Sequence, residues 1–350
     1  MTYQLTIEPL GETLAVEKGQ TMLDACLRAG VWLPHACGHG LCGTCKITVL
    51  EGEIAHNEAS SFALMDFERN EGKALACTAT LEADTVIEAE IDDDIDARHI
   101  PIRDFRGVIE DRRMLTDDIL GLWLRLPDEG IDFQAGQYIA LFVPGIEAPR
   151  SFSIASPPSQ PNLIELHIRL VPGGQATSWL HHHAQPGMEL RFTGPYGRFY
   201  IRKSAGLPKL FLAGGSGLSS PQSMIIDLIE QDDPLPITLV HGARAPKDLY
   251  NMGLFQELAV HHPNFRYIPA VSGDISGWSG EIGLVHEVIQ RLYDGRFEGH
   301  QAYLCGPPPM IDACIMTLMR GRLFEHHIFN EKFVTPADAE QARSPLFKRI

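Results

Sequence analysis

The sequence predicts a multidomain protein of mixed α/β and β class: strands around one helix, then an antiparallel barrel, then a doubly wound parallel sheet. Three observations carry the prediction. Cysteines 37, 42, 45 and 77 cluster in an opening segment of alternating strands; short strands punctuated by Gly and Pro run from Ile102 to Phe199; strands alternate with helices after Leu207. At 350 residues the chain is too long for one ordinary core and suits two or three domains. The expected bounds are 1–95, 100–205 and 206–338, with a tail over 339–350.

In the opening segment, Tyr3–Glu8 and Thr13–Val16 flank Gly11 in a hairpin pattern. Thr21 can cap an amphipathic helix to Ala29, with Met22, Ala25, Cys26 and Ala29 on one face. Ile47–Leu50 and Thr85–Ile91 alternate as strands. In the middle segment the strand signals are Gly107-Val-Ile, Gly121 to Leu126, Gln137 to Val143 and Leu163 to Val171, with one helix near Ala176–His182. The last segment gives strands at Lys209–Ala213, Ile237–Val240, Arg266–Pro269 and Ala302–Leu304. Helices are expected at Pro221–Glu230, Val285–Tyr293 and Pro309–Met319.

Acidic residues outnumber basic ones, 45 to 29, for a formal charge of −16, which argues against nucleic-acid binding because phosphate contact needs a basic surface. No run of apolar residues is long enough to predict a membrane span. The opening Met1–Leu5 lacks the basic and apolar regions of a signal peptide, so a cytoplasmic location is expected. The densest acidic stretch, Asp92 to Asp96, falls at an expected domain junction.

Cys37, Cys42 and Cys45 form C-x4-C-x2-C, and Cys77 stands apart as a fourth thiol. Three close thiolates plus one distant thiolate match a plant-type [2Fe–2S] site. Gly38, Gly40 and Gly43 let the backbone wrap tightly and aim N–H groups at sulfur. Structural zinc would more often set two close C-x2-C pairs against each other. His35 and His39 are then surplus to a four-cysteine site and are read as surface residues. Cys26 and Cys314 are read as buried hydrophobes.

Arg150-Ser151-Phe152-Ser153 ends a strand: an arginine fork suits a pyrophosphate, and Ser153 can bond a flavin ring nitrogen. Gly174-Gln175-Ala176-Thr177 is a glycine turn opening a helix, which presents N–H groups and a hydroxyl to phosphate. Gly214-Gly215-Ser216-Gly217 lies between a strand and a helix, where a phosphate turn belongs, although Ser220 replaces the last glycine of the full fingerprint. Cys305-Gly306-Pro307 ends a later strand, placing a thiol at the ligand crevice or in the core. Arg244 follows the second strand of this segment and can meet a 2′-phosphate or stack on adenine. The runs His181–His183, His261-His262 and His326-His327 lack further matching ligands and are read as solvated.

Taken in order, these segments resemble the reductase components of bacterial multicomponent oxygenases, and most closely the phenol hydroxylase reductases of the soluble diiron monooxygenase group. The likeness is carried by Cys37-Gly38-His39-Gly40, Ala213 to Met224, Tyr303 to Met310 and the ending Leu346 to Ile350. It implies a β-grasp [2Fe–2S] ferredoxin domain, a Greek-key β-barrel for FAD and a doubly wound sheet for NADH. FAD would be held by Arg150, Phe152 and Ser153, with His167, Ile168, Arg169, Leu170 and Gly174 to Thr177 around the pyrophosphate. Cys305 would set the nicotinamide ring, and Phe333, in Glu331-Lys332-Phe333, would cover the flavin until nucleotide enters. Phe152 and Ser220 depart from the residues that many relatives carry. The implied partner is a diiron hydroxylase accepting electrons from a monomeric reductase, and Leu41, His39, Glu51 and Glu53 are expected exposed near the cluster. Rival readings are a reductase for a Rieske-type ring dioxygenase, or a flavin- and nucleotide-binding subunit of a larger enzyme.

Overall fold

A computed structural model describes residues 1–35, 38, 40–91, 93–127 and 130–333; Cys37, His39, Asp92 and the closing 334–350 lie outside the described residues. The chain divides into one unit of Met1–Asp104 with Gly194–Arg198, and a second of Phe105–Thr193 with Phe199–Ile350.

The first unit begins with β1 (Thr2–Glu8), β2 (Glu12–Glu17) and α1 (Met22–Ala29). It continues through β3 (Lys46–Glu51), β4 (Ile54–Ala55), α2 (Asp66–Asn70), β5 (Lys73–Leu75), β6 (Thr80–Leu81) and β7 (Thr85–Glu88). The sheet order is β2-β1-β7-β3-β5, with β1 and β7 parallel and the other neighbours antiparallel, so α1 is grasped across a mixed sheet. Helix α1 forms as its sequence dictates. Thr21 Oγ1 accepts the Asp24 N–H at 3.2 Å, and Gly30, at φ 82°, ends the helix by donating to the Cys26 and Leu27 carbonyls. Its apolar face, Met22 to Leu27, meets Leu5, Ile7 and Ile87 in the core. Strand β7 stops at Glu88, short of the expected Ile91, because its parallel partner β1 ends opposite it at Glu8.

The second unit opens with the barrel strands β8 (Arg103–Met114), β9 (Ile119–Arg125), β10 (Tyr138–Phe142), β11 (Arg150–Ser153) and β12 (Leu163–Arg169). Helix α3 (Gln175–His183) and strand β13 (Glu189–Tyr196) complete it. The sheet order β11-β10-β13-β8-β9-β12 is brought round by an antiparallel bridge from Ile154 to Leu166, which joins the two edges. Alternate residues Leu122, Leu124, Ile139, Leu141, Ile164 and Leu166 fill the interior.

Then follow β14 (Lys209–Gly214), α4 (Ser219–Glu230), β15 (Ile237–Ala243), α5 (Met252–His261) and β16 (Phe265–Val271). The fold ends with β17 (Glu281–Ile282), α6 (Val285–Leu292), β18 (Gln301–Gly306), α7 (Pro308–Arg320) and β19 (Ile328–Lys332). This sheet is parallel throughout, in the order β17-β16-β15-β14-β18-β19, and its central strands are buried on both faces. Leu210 and Leu212 face one helical layer, while Phe211 and Ala213 face a cluster that also takes in Ile119, Ala135 and Phe199 of the barrel. That shared cluster makes barrel and parallel sheet one unit.

Candidate functional site

The order β15-β14-β18 reverses direction of progress between β14 and β18, and such a switch point opens a crevice at the carboxyl ends of the strands. There Ala213 lies opposite Cys305 in register. Between β14 and α4 the chain makes a tight turn over Gly215–Leu218, and α4 has neither a side-chain cap nor an acid in its first turn. The Ser219 N–H is bonded to the Ser216 carbonyl, so α4 runs on from this turn, and the open N-terminus that suits an anion belongs to the turn at Gly215 and Ser216. Gly217 is required by close approach: a Cβ there would come within 2.4 Å of the Cys305 carbonyl oxygen. Gly214, Ser216 and Gly306 are buried, Gly215 is half-buried, and Pro307 and Arg244 are exposed.

On the barrel side, β11 pairs with β10 so that Ser153 faces Tyr138 in register. The Arg150 guanidinium is exposed and donates to the Ala148 and Pro149 carbonyls at 2.8 and 3.1 Å. Ser151 is exposed, and Phe152 leans on the barrel core. His167 and Ile168 are both buried but on opposite faces of β12, Ile168 in the barrel core and His167 against Tyr250, while Arg169 is exposed and Leu170 half-buried. Helix α3 starts from Gly174 without a side-chain cap or a first-turn acid, again an open anion site. Ala176 is buried and Gln175 exposed. The Thr177 hydroxyl accepts from the Val171 N–H at 3.2 Å and donates to the Gly174 carbonyl at 3.3 Å, so it shapes the turn.

The two sides meet at one carboxylate. Glu331, on β19, receives hydrogen bonds at Oε2 from Ser153 Oγ at 3.0 Å and Ser220 Oγ at 2.9 Å, with Cys305 Sγ 3.7 Å away. Burial pushes the Glu331 carboxyl above its ordinary range, and the three donors pull it part of the way back. The Cys305 thiol is fully buried, and burial with the Glu331 charge beside it holds it well above the usual thiol range, so it is a neutral thiol. Phe333 is half-buried, and its N–H donates to the Gly306 carbonyl at 3.0 Å, which fixes the end of β19 against β18. Sequence reasoning named Glu331 only as part of a closing segment and Ser220 only as a departure. Glu331 was marked by one signal, an acid following an apolar strand start, and its partners lie far away in sequence.

In the first unit, Cys45 and Cys77 are buried and Cys42 is exposed. The Gly40 N–H donates to Cys77 Sγ at 3.3 Å, the kind of contact that stabilises a thiolate. Gly40 has φ 71°, and a Cβ there would meet Thr78 Cγ2 at 2.8 Å and the Glu58 carbonyl at 3.1 Å, so only glycine fits. Gly38 and Gly43 also have positive φ. The described cysteines and glycines thus fit an iron–sulfur cluster. The first ligand position, Cys37, lies outside the described residues, and among those described no three potential ligands gather at metal-binding distance. Leu41 is 65% exposed, and Glu51 and Glu53 are exposed.

Two histidine readings need correction. His35 is buried, with Nδ1 2.8 Å from the Leu33 carbonyl and its ring 5.7 Å from Trp32, because the chain leaving α1 packs inward before the cluster loop. His181 is also buried, its Nε2 2.8 Å from the Ile168 carbonyl, since the inner face of α3 lies against β12; His182 and His183 are exposed. Cys26 and Cys314 are buried as expected, and burial raises each thiol to about 12.

Three family models match in chain order: the 2Fe-2S iron-sulfur cluster binding domain over residues 5–82, the oxidoreductase FAD-binding domain over 107–201 and the oxidoreductase NAD-binding domain over 211–315. The chain is 54% identical to the phenol 2-monooxygenase reductase component DmpP of Pseudomonas sp., over 100% of both chains. It belongs to the iron–sulfur flavoprotein reductase components. A phenol hydroxylase protein of Acinetobacter pittii is 51% identical, again over 100% of both chains. Among solved structures, the Amycolatopsis reductase GcoB superposes with a TM-score of 0.86 at 34% identity, covering 95% of this chain and 99% of that one. This reductase is an NADH-dependent oxidoreductase whose cofactors are a [2Fe–2S] cluster and FAD. Among the described residues, no helix is long and apolar enough to cross a membrane.

Proposed function

We propose that this reductase takes electrons from NADH and delivers them to the diiron hydroxylase component of a phenol-type monooxygenase. The observation that carries the reading is the full-length match to a phenol 2-monooxygenase reductase component and to a phenol hydroxylase P5 protein. The flavin, when bound, accepts two electrons together and releases them singly, which joins a hydride donor to a one-electron cluster. The work divides along the chain as cluster at 1–95, flavin at 100–205 and nucleotide at 206–338, with 339–350 a tail.

Arg150 and the open N-terminus of α3 would hold the flavin pyrophosphate. Ser153 would place its hydroxyl at the ring nitrogen that receives hydride. The turn from Gly214 to Gly217, with Gly306 and Pro307, would seat the dinucleotide, and Phe333 would yield its place to the nicotinamide ring. Glu331 Oε2, which accepts from Ser153 Oγ, would hold that hydroxyl in place beside the flavin. Cys37, Cys42, Cys45 and Cys77 would hold the cluster, and exposed Leu41 beside it gives the hydroxylase a close approach.

With a diiron phenol hydroxylase component, NADH and oxygen, the protein should consume phenol in step with NADH. NADH oxidation that reduces dyes but never supports phenol consumption would reject this partner. An equal rate with a Rieske-type oxygenase would do the same.

A further inference from the structure

Behind the nucleotide turn lies a largely buried polar chain, of which only His167 belongs to the expected flavin loops. Tyr250 follows β15 in a short loop and is almost wholly buried. Its hydroxyl donates to the Gly215 carbonyl at 3.3 Å and lies 3.0 Å from His167 Nδ1, on barrel strand β12. The other ring nitrogen of His167 is 2.9 Å from Glu165 Oε1. Glu165 Oε2 accepts from Gln222 of α4 at 3.1 Å, and Gln222 Oε1 accepts from Asn251 at 2.7 Å. Asn251 is the neighbour of Tyr250, so the chain of contacts closes on itself. The tyrosine ring also stands edge-on to His167 and His241, at 5.1 and 5.7 Å between centroids. Buried polar groups satisfied in this way fix a single arrangement.

We propose that Tyr250 is a positioning residue for the dinucleotide: its hydroxyl ties the phosphate turn at Gly215 to the barrel strand carrying Glu165 and His167. The inference rests on the NADH-driven reading of the crevice. Gly215 has φ 57° and precedes α4, so the direction of its carbonyl sets where the following N–H groups point. A hydrogen bond from a buried phenol to that carbonyl holds the turn ready before nucleotide arrives, which lowers the ordering cost of binding. Tyr250 itself touches neither hydride donor nor acceptor, so its loss weakens nucleotide binding and leaves the chemical step in place.

The test is Tyr250→Phe in the holoprotein, which keeps the ring and removes one oxygen. Calorimetric Kd for NAD+ and KM for NADH should rise about three- to tenfold, as loss of one buried hydrogen bond implies. The dye-reduction kcat and the FAD content per chain should stay within about twofold, and amide exchange over Gly214–Ser219 should quicken. Glu165→Gln, which changes the partner of His167 Nε2 and so disturbs the same chain, should also alter Kd and amide exchange while FAD stays bound. Unchanged Kd and amide exchange in these variants would overturn the proposal, as would FAD loss in proportion to the rise in KM. Wild type unable to oxidise NADH with dyes would instead reject the NADH reading itself.

Discussion

At the scale of single residues, Glu331 ties the two sides of the crevice together through Ser153 and Ser220. Its carboxyl is raised by burial, so between its unfolded and folded values the native chain holds a proton that the unfolded chain has lost. Its contribution to stability is therefore present at acid pH and lost as pH rises through the folded value. Replacing Glu331 with Gln should remove that decline, so thermal scans from acid to neutral pH should show the variant gaining on wild type as pH rises. The same substitution replaces the carboxyl group that accepts from Ser153 and Ser220 with an amide, and NADH-to-dye turnover should fall at least about tenfold, in line with the loss of a positioned acid–base group. Unchanged turnover would remove Glu331 from the reaction. The sequence could not announce this residue: Ser153 and Glu331 stand 178 positions apart, and only the joining of barrel and parallel sheet makes them neighbours. The cluster was legible because three cysteines lie close together in sequence at a recognisable spacing. His35 and His181 were misjudged because solvation depends on how neighbouring elements pack.

At the scale of elements, the strand–turn–helix from β14 to α4 shows what the sequence does and does not convey. The apolar run at Lys209–Ala213 and the glycines after it were readable, since a strand buried on both faces is apolar throughout. Ends were less readable, because pairing decides them: β12 stops at Arg169, where its ladder with β9 ends at Ile119. Helices α2 and α5 went unseen; α5 begins from Asn251 in a left-handed conformation with no capping side chain to mark its start. Within this turn Gly217 is the tightest point, pressed on the backbone of Cys305 and Gly306. Gly217→Ala would overpack that contact at a cost of about 1–3 kcal/mol. It should raise KM for NADH sharply while FAD stays bound, since the flavin loops lie on β11, β12 and α3. Kinetics and the flavin content of the dialysed protein check both halves of that expectation. Loss of flavin with unchanged KM would contradict the assignment of the turn.

At the scale of the whole molecule, the order of the segments was the most legible feature. Each segment has its own periodicity: cysteines in a mixed strand–helix region, alternating barrel strands, then apolar strands separated by helices. Their chemistry is divided in the same way. In the proposed reading, hydride would be handled where β11, α4, β18 and β19 converge, and single electrons would leave from the loop bearing Cys42, Cys45 and Cys77. The most direct test of that division is Cys42→Ser, read by EPR of the NADH-reduced protein alongside flavin content and turnover. The account predicts loss of the reduced [2Fe–2S] signal, full FAD content, NADH-to-dye reduction close to wild type and no electron delivery to the hydroxylase. Persistence of hydroxylase reduction without the cluster signal, or loss of dye reduction with FAD still bound, would contradict it.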